Sequence, residues 1–379
     1  MTVAGGGAWT LKERAVIAAA EDAEGMTADQ VGTTNKETRM KNRVGMRVKQ
    51  VGLVLLGMSA ASGAAAESGV GDFFTQLIKP LRIQIDAHAQ NRTDVRDAIT
   101  PSHVHQATQD LIAEIEILRE AMGIFDYPAE AEPQEDRSPI HVYSKSLEVM
   151  QKIAWVQRRL GILPVKVGQI PVKNITPKDV FASVEILILE IRRLKAQLVI
   201  EDEINPAPFV GGKTPSLVFK SLADASFLLD GLVGRPLSPS DVFTHIMHVH
   251  DEMELVAAKL KTTLELDLPI VEGRKRPTEV AQQALRAIFK VINLQTRLGM
   301  DASGVPNLTL VRVTPAELYE AANIMLAEMV RVKAHLGITL PREERRDARN
   351  KRPRDVFAEL LLVIRNLDIL AKAAADQAG

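Results

Sequence analysis

The chain has 379 residues, of which 46% are hydrophobic, 25% charged and 4% aromatic, a composition of a globular protein and not of a disordered or fibrous one. Its 47 Lys and Arg nearly balance 48 Asp and Glu, so nothing suggests a strongly basic surface of the kind that neutralises nucleic-acid phosphates. With no cysteine, disulfide frameworks, zinc ribbons, iron–sulfur sites, thiol nucleophiles and lipid-bearing cysteine anchors are all excluded, and so few aromatics argue against a base-stacking platform.

Residues 40–66, MKNRVGMRVKQVGLVLLGMSAASGAAA, have the order of a secretory signal peptide. Lys41, Arg43, Arg47 and Lys49 form the basic region, Val51 to Ser59 the apolar run, and Ala64 and Ala66 the small-residue cleavage site. The apolar run is shorter than the roughly 20 residues that span a bilayer. Residues 1–39, rich in Gly, Ala and Thr, are read as an upstream extension, with Met40 or Met46 as the initiator. The expected product is a soluble periplasmic or secreted protein beginning near Glu67, with 39 basic and 42 acidic residues. A cytoplasmic protein with one apolar helix is the alternative. Residues 67–99 follow as a lead segment in which Phe73, Phe74, Leu77, Ile78, Leu81, Ile83 and Ile85 cluster around Pro80, read as a shield for the helices beyond it.

A repeat begins at residue 100. The strings TPSHVH, SPIHVY, TPKDVF, TPSLVF, SPSDVF, RPTEVA, TPAELY and RPRDVF place a proline at 101, 139, 177, 215, 239, 277, 315 and 353, a period of 38 with one interval of 24. Ser or Thr precedes the proline in six of the eight, an N-cap followed by Pro at the first helical position, where its missing N–H costs nothing. Val104, Thr108, Leu111, Ile115, Leu118 and Met122 then recur at steps of four and three, one stripe of a helix, and Val180, Val184, Leu187, Ile191, Leu194 and Leu198 repeat it. Four copies end at Gly123, Gly161, Gly299 and Gly337, as left-handed caps do. Each repeat is therefore a single helix of about 24 residues, roughly 36 Å long, followed by an irregular Pro-containing linker. The linkers are long enough either to make hairpins or to run back the full helix length, and up-and-down order is favoured as the commoner arrangement. Only Arg235 to Leu237 separate the fourth and fifth helices, which predicts antiparallel neighbours there.

A shift of 138 residues superposes copies one to four on copies five to eight with position-specific identities. Lys152, Gln157, Arg159, Leu160 and Gly161 match Lys290, Gln295, Arg297, Leu298 and Gly299, and Phe219 and Asp230 match Phe357 and Asp368. The expected fold is all-α: eight 38-residue single-helix repeats arranged as two tandem four-helix bundles, residues 100–237 and 238–379. A single eight-helix array is the alternative.

Two polar sets stand out. Glu114, Lys152 and Glu190 share one register in helices one to three, and Glu252, Lys290 and Glu328 repeat it. This pattern is either flanking salt bridges or a layer that binds a small ligand. His245, His248 and Glu252 share a helix face at metal-ligand spacing, although the paired Glu-x-x-His motifs of di-iron bundles are missing. His103 and His141, near helix starts, read as surface cap residues. No Gly-rich phosphate loop, G-x-S-x-G elbow, H-E-x-x-H or Cys-x-x-Cys occurs, so neither a catalytic residue nor a cofactor is predicted. The expected function is that of an exported, non-enzymatic interaction scaffold or binding module in the cell envelope, with a protein partner or small ligand, no nucleic acid and no membrane span after signal cleavage. The alternative is a periplasmic small-molecule or metal-binding bundle acting as sensor or carrier.

Overall fold

The computed structural model describes residues 99–125, 136–301, 313–343 and 348–378. The upstream extension, the signal peptide and the lead segment as far as residue 98 lie outside them. Among the described residues there are eight helices and no strand: α1 (Pro101–Ala121), α2 (Pro139–Arg159), α3 (Pro177–Gln197), α4 (Pro215–Val233), α5 (Pro239–Lys259), α6 (Pro277–Arg297), α7 (Pro315–His335) and α8 (Pro353–Ala378). No described helix is long and apolar enough to cross a membrane.

The helix starts follow the local chemistry of the repeat. Each proline occupies the first helical position, behind an extended residue such as Thr176 (φ −105°) or Ser238 (φ −116°). Asp179 returns the cap by accepting the Thr176 N–H at 2.8 Å, and Glu317 does the same for Thr314 at 2.6 Å. Most of the helices have 21 residues, fewer than the 24 expected, because the last residues before the glycine form the cap instead of the helix. Gly123, Gly161, Gly299 and Gly337 all have φ near +70° there. The stripe from Val104 to Leu118 and the stripe from Val180 to Leu194 are both buried, as their spacing requires.

Each half is a four-helix bundle in which chain neighbours are not all spatial neighbours. In the first, α1 and α2 each pack on both α3 and α4, and in the second α5 and α6 each pack on both α7 and α8. The expected up-and-down order is incorrect: all four helices of a half run the same way. Arg137 at the start of α2 meets Ser216 at the start of α4, while Arg159 at its end meets Leu232 at the end of α4. In the same sense Ser146 meets Ser183 and Gln157 meets Glu190 between α2 and α3. In the second half, Ser240 pairs with the backbone of Lys351 and Leu260 with Gln377.

The linkers make this order feasible. Seventeen residues separate α2 from α3; in extended form they reach about 56 Å, well over the roughly 31 Å of a 21-residue helix. The linker between α3 and α4 shows the return path. Asp202 accepts from Lys195 near the end of α3, Ala207 is held by Asp110 and Gln106 at 2.7 Å each, and the Lys213 N–H meets Ser102 at the start of α1. Such side-chain clamps satisfy backbone groups that no strand pairs with. Asn366 grips both the N–H and the C=O of Glu265 in the same manner.

The short connection between α4 and α5 also departs from expectation. The two helices have no close backbone approach and are not antiparallel neighbours. Gly234 (φ +72°) turns the chain against the Arg159 guanidinium, where a Cβ would collide, and Arg235 stacks 4.5 Å over Trp155 while binding Asp241 at 2.8 Å. Five residues cannot run back along a helix, so the second half starts from the end at which the first one stops.

Two caps lack glycine where the others have it. Val199 (φ 55°) and Lys261 (φ 52°) hold the left-handed position that carries glycine in four other copies. Val199→Gly should therefore stabilise the protein by roughly 0.5–1 kcal/mol and Lys261→Gly by somewhat less, read as a higher urea midpoint. A lower midpoint for Val199→Gly would mean that its side-chain packing outweighs the backbone strain.

Candidate binding cleft between the two halves

The six repeated polar residues do not form two layers. They form three separate pairings, and each recurs after 138 residues with a partner on another helix. Glu114 of α1 takes Lys195 of α3 at 2.5 Å and Arg192 at 2.7 Å, and Glu252 takes Lys333 at 2.5 Å. Lys152 of α2 binds Asp230 of α4 at 2.6 Å, and Lys290 binds Asp368 at 2.6 Å. Glu190 accepts from Gln157 at 2.6 Å, and Glu328 accepts from Gln295. The lysines of the first pairing also cap carbonyls of the descending linkers, Lys195 at Asp202 and Lys333 at Leu340. All six except Lys290 are buried, so a solvated flank describes only that one.

The halves meet where α2 crosses α7 in the opposite sense. His141 Nε2 lies 2.6 Å from Glu328 Oε1, and Asn323 donates to Glu148 at 2.8 Å. His141 is thus not a surface residue: its Nδ1 serves the cap at Ser138 while its other nitrogen reaches the second half. Burial disfavours ionised Glu148, but the neighbouring Lys145 charge, with Lys152 and the Ser226 hydroxyl, holds its carboxyl below the ordinary range. Burial likewise works against ionised Glu328, yet His141, Arg331 and Gln295 bring it down to about 2.

Beside this crossing lies a cleft of about 290 Å³, walled by α2, the linker after it, α5 and α7. Trp155 and Tyr319 give it aromatic walls; Arg158, Lys166 and Arg342 give it cations; His245, His248 and Asn323 also line it. His245 stacks on Tyr319 with ring centres 4.5 Å apart, and its Nε2 is enclosed without a hydrogen-bond partner among the described residues. Burial lowers the His245 pKa to about 4, only partly opposed by Asn323, so the ring is neutral at neutral pH.

The three residues singled out for metal all line this cleft, but they do not converge as ligands. Among the described residues no three His, Asp or Glu side chains are placed to hold a metal ion. Glu252 is committed to Lys333, with Arg342 at 3.8 Å from its other oxygen, and His245 faces Tyr319. Three of the four walls come from elements far apart in sequence, so helix spacing alone had no means of finding Trp155, Tyr319, Asn323 or Arg342. Compared with known proteins, the chain matches no family model, no curated protein and no solved structure.

The pairings differ in burial, and their removal should differ in cost. Lys333→Met leaves Glu252 buried without its ammonium and should cost about 3 kcal/mol. Lys290→Met, in a partly exposed pair, should cost no more than about 1 kcal/mol. Equal losses in chemical denaturation would contradict this ranking.

Acid should weaken the fold in two stages. His245 has its pKa lowered from 6.5 to about 4, so its contribution is complete above pH 6.5 and is lost as pH falls towards 4. Glu328, lowered from 4.5 to about 2, contributes fully above pH 4.5 and loses that contribution towards 2. His245→Gln should remove the first stage from a stability–pH curve and leave the second; a curve that is unchanged between pH 6.5 and 4 would contradict the assignment.

Proposed function

We propose that the chain is an exported, non-enzymatic binding module of the cell envelope whose inter-half cleft seats a small anion with a flat apolar body. The observation that carries this reading is the lining of the cleft, which sets cationic side chains beside aromatic ones. Its three carboxylates are each matched by a cation that does not line it: Glu148 by Lys145, Asp241 by Arg235 and Glu252 by Lys333. Arg158, Lys166 and Arg342, the last also 3.8 Å from Glu252, stand on its walls beside Trp155 and Tyr319, and the enclosed His245 Nε2 adds a further polar group. A volume of about 290 Å³ suits a small metabolite and excludes a folded segment. Export rests on the basic, apolar and small-residue order of residues 40–66.

The interaction-scaffold reading has its own support in exposed apolar side chains on helix faces, Ile186, Phe227 and Phe289. It concerns a different surface and is compatible with an occupied cleft.

Benzoate and inorganic phosphate are suitable probes. Benzoate should raise the melting temperature saturably, more than phosphate does, and Arg158→Glu combined with Lys166→Glu should abolish the effect. No saturable shift, or the same shift in the double variant, would overturn the cleft as an anion seat. Protein recovered from the envelope of expressing bacteria should begin near Glu67; recovery with residues 1–39 attached would contradict export by this signal.

A further inference from the structure

The contact between the halves uses only one of the two pairs of surfaces that duplication created. It joins α2, the second helix of the first half, to α7, the third helix of the second half. The residues equivalent by the 138-residue shift are α6 for α2 and α3 for α7, and α3 and α6 do not pack on one another. Each described chain therefore displays one unmatched copy of both sides of its own internal joint.

The exposure of these faces agrees with that account. Ile324 of α7 is 4% exposed at the joint, whereas its equivalent Ile186 of α3 is 47% exposed. On α6, Gln282, Arg286, Phe289 and Asn293 are all exposed and follow one stripe; their α2 equivalents Ser144, Glu148, Gln151 and Trp155 lie at the joint or the cleft. Charge is complementary at the central contact. Where Asn323 donates to Glu148 inside the chain, the unmatched faces carry Glu185 on α3 and Arg286 on α6, both exposed and of opposite sign. The His141–Glu328 contact is not reproduced, since Glu279 and Glu190 stand at those positions, each already bonded within its own half.

The geometry points to self-association: a second copy of this chain docks the α3 face of its first half on the α6 face of the second half, repeating between molecules the joint that exists within one. The two faces differ, so the contact is heterologous, and every added copy presents a fresh α6 face. Burying Ile186 and Phe289 supplies the apolar part, and Arg286 with Glu185 sets the register.

The absence of cysteine makes the test direct. Full chains carrying Ala182→Cys and full chains carrying Gln282→Cys should, when mixed with a short bis-maleimide, link to each other at least tenfold more than either links to itself. In sedimentation the unmodified chain should gain mass with concentration. Arg286→Glu should weaken that association at least tenfold, and adding Glu185→Arg to the same chain should restore it. A monomer at every concentration, cross-links without preference, or association indifferent to Arg286→Glu would overturn the proposal.

Discussion

Everything within each half depends on the return of its linkers along the full length of a helix. With every helix of a half starting at the same end, equivalent residues in successive repeats of that half stand at the same height, and a 138-residue duplication copies interhelical contacts intact. The Glu114–Lys195 and Glu252–Lys333 bonds show this directly. Parallel order carries an electrostatic cost, because the helix dipoles align. The sequence offsets it at both ends. Asp179, Asp241, Glu279 and Glu317 sit in first turns, and Arg119, Arg159, Lys195, Lys259, Arg297 and Lys333 in last turns. Several of the basic groups reach across to carbonyls at the ends of neighbouring helices: Arg159 to Leu232, and His335 to Leu298. Those cross-helix caps require that neighbouring C-termini lie side by side.

Burying charge is otherwise unfavourable, and Lys333 and Glu148 each have more than one partner. Lys333, fully enclosed, meets both the Glu252 carboxylate and the Leu340 carbonyl. Glu148 accepts from Lys145, Ser226 and Asn323. A pair satisfied in this way contributes less net stability than its distance implies, but losing one member is expensive, so such contacts select one register over near alternatives. The polar joint between α2 and α7 has that character, and it fixes the angle at which the halves enclose their cleft.

How much of this was legible in the chain depended on whether a feature is local. Helix starts, apolar stripes and glycine caps follow from residues within one repeat, and Thr176–Asp179 or Val104–Leu118 can be read without a fold. Helix direction cannot, because a 17-residue linker is compatible with both orders. The polar partners were partly visible: Gln157 with Gln295 and Asp230 with Asp368 had already been singled out as matched identities. Their pairing with Glu190, Glu328, Lys152 and Lys290 needed knowledge of which helices touch. His245 and His248 were noticed for spacing on one helix, whereas the surroundings that define their chemistry come from α2, α7 and a linker.

The parallel order of the helices is the claim from which the linkers, the repeated pairings and the unmatched faces all follow. In a chain without native cysteine, Thr296→Cys near the end of α6 and Ala334→Cys near the end of α7 can both carry spin labels. Dipolar spectroscopy should place the labels within about 20 Å, one interhelix spacing plus the label arms. A distance of about 30 Å or more, the length of a 21-residue helix, would mean that α6 and α7 run in opposite directions and would contradict the architecture.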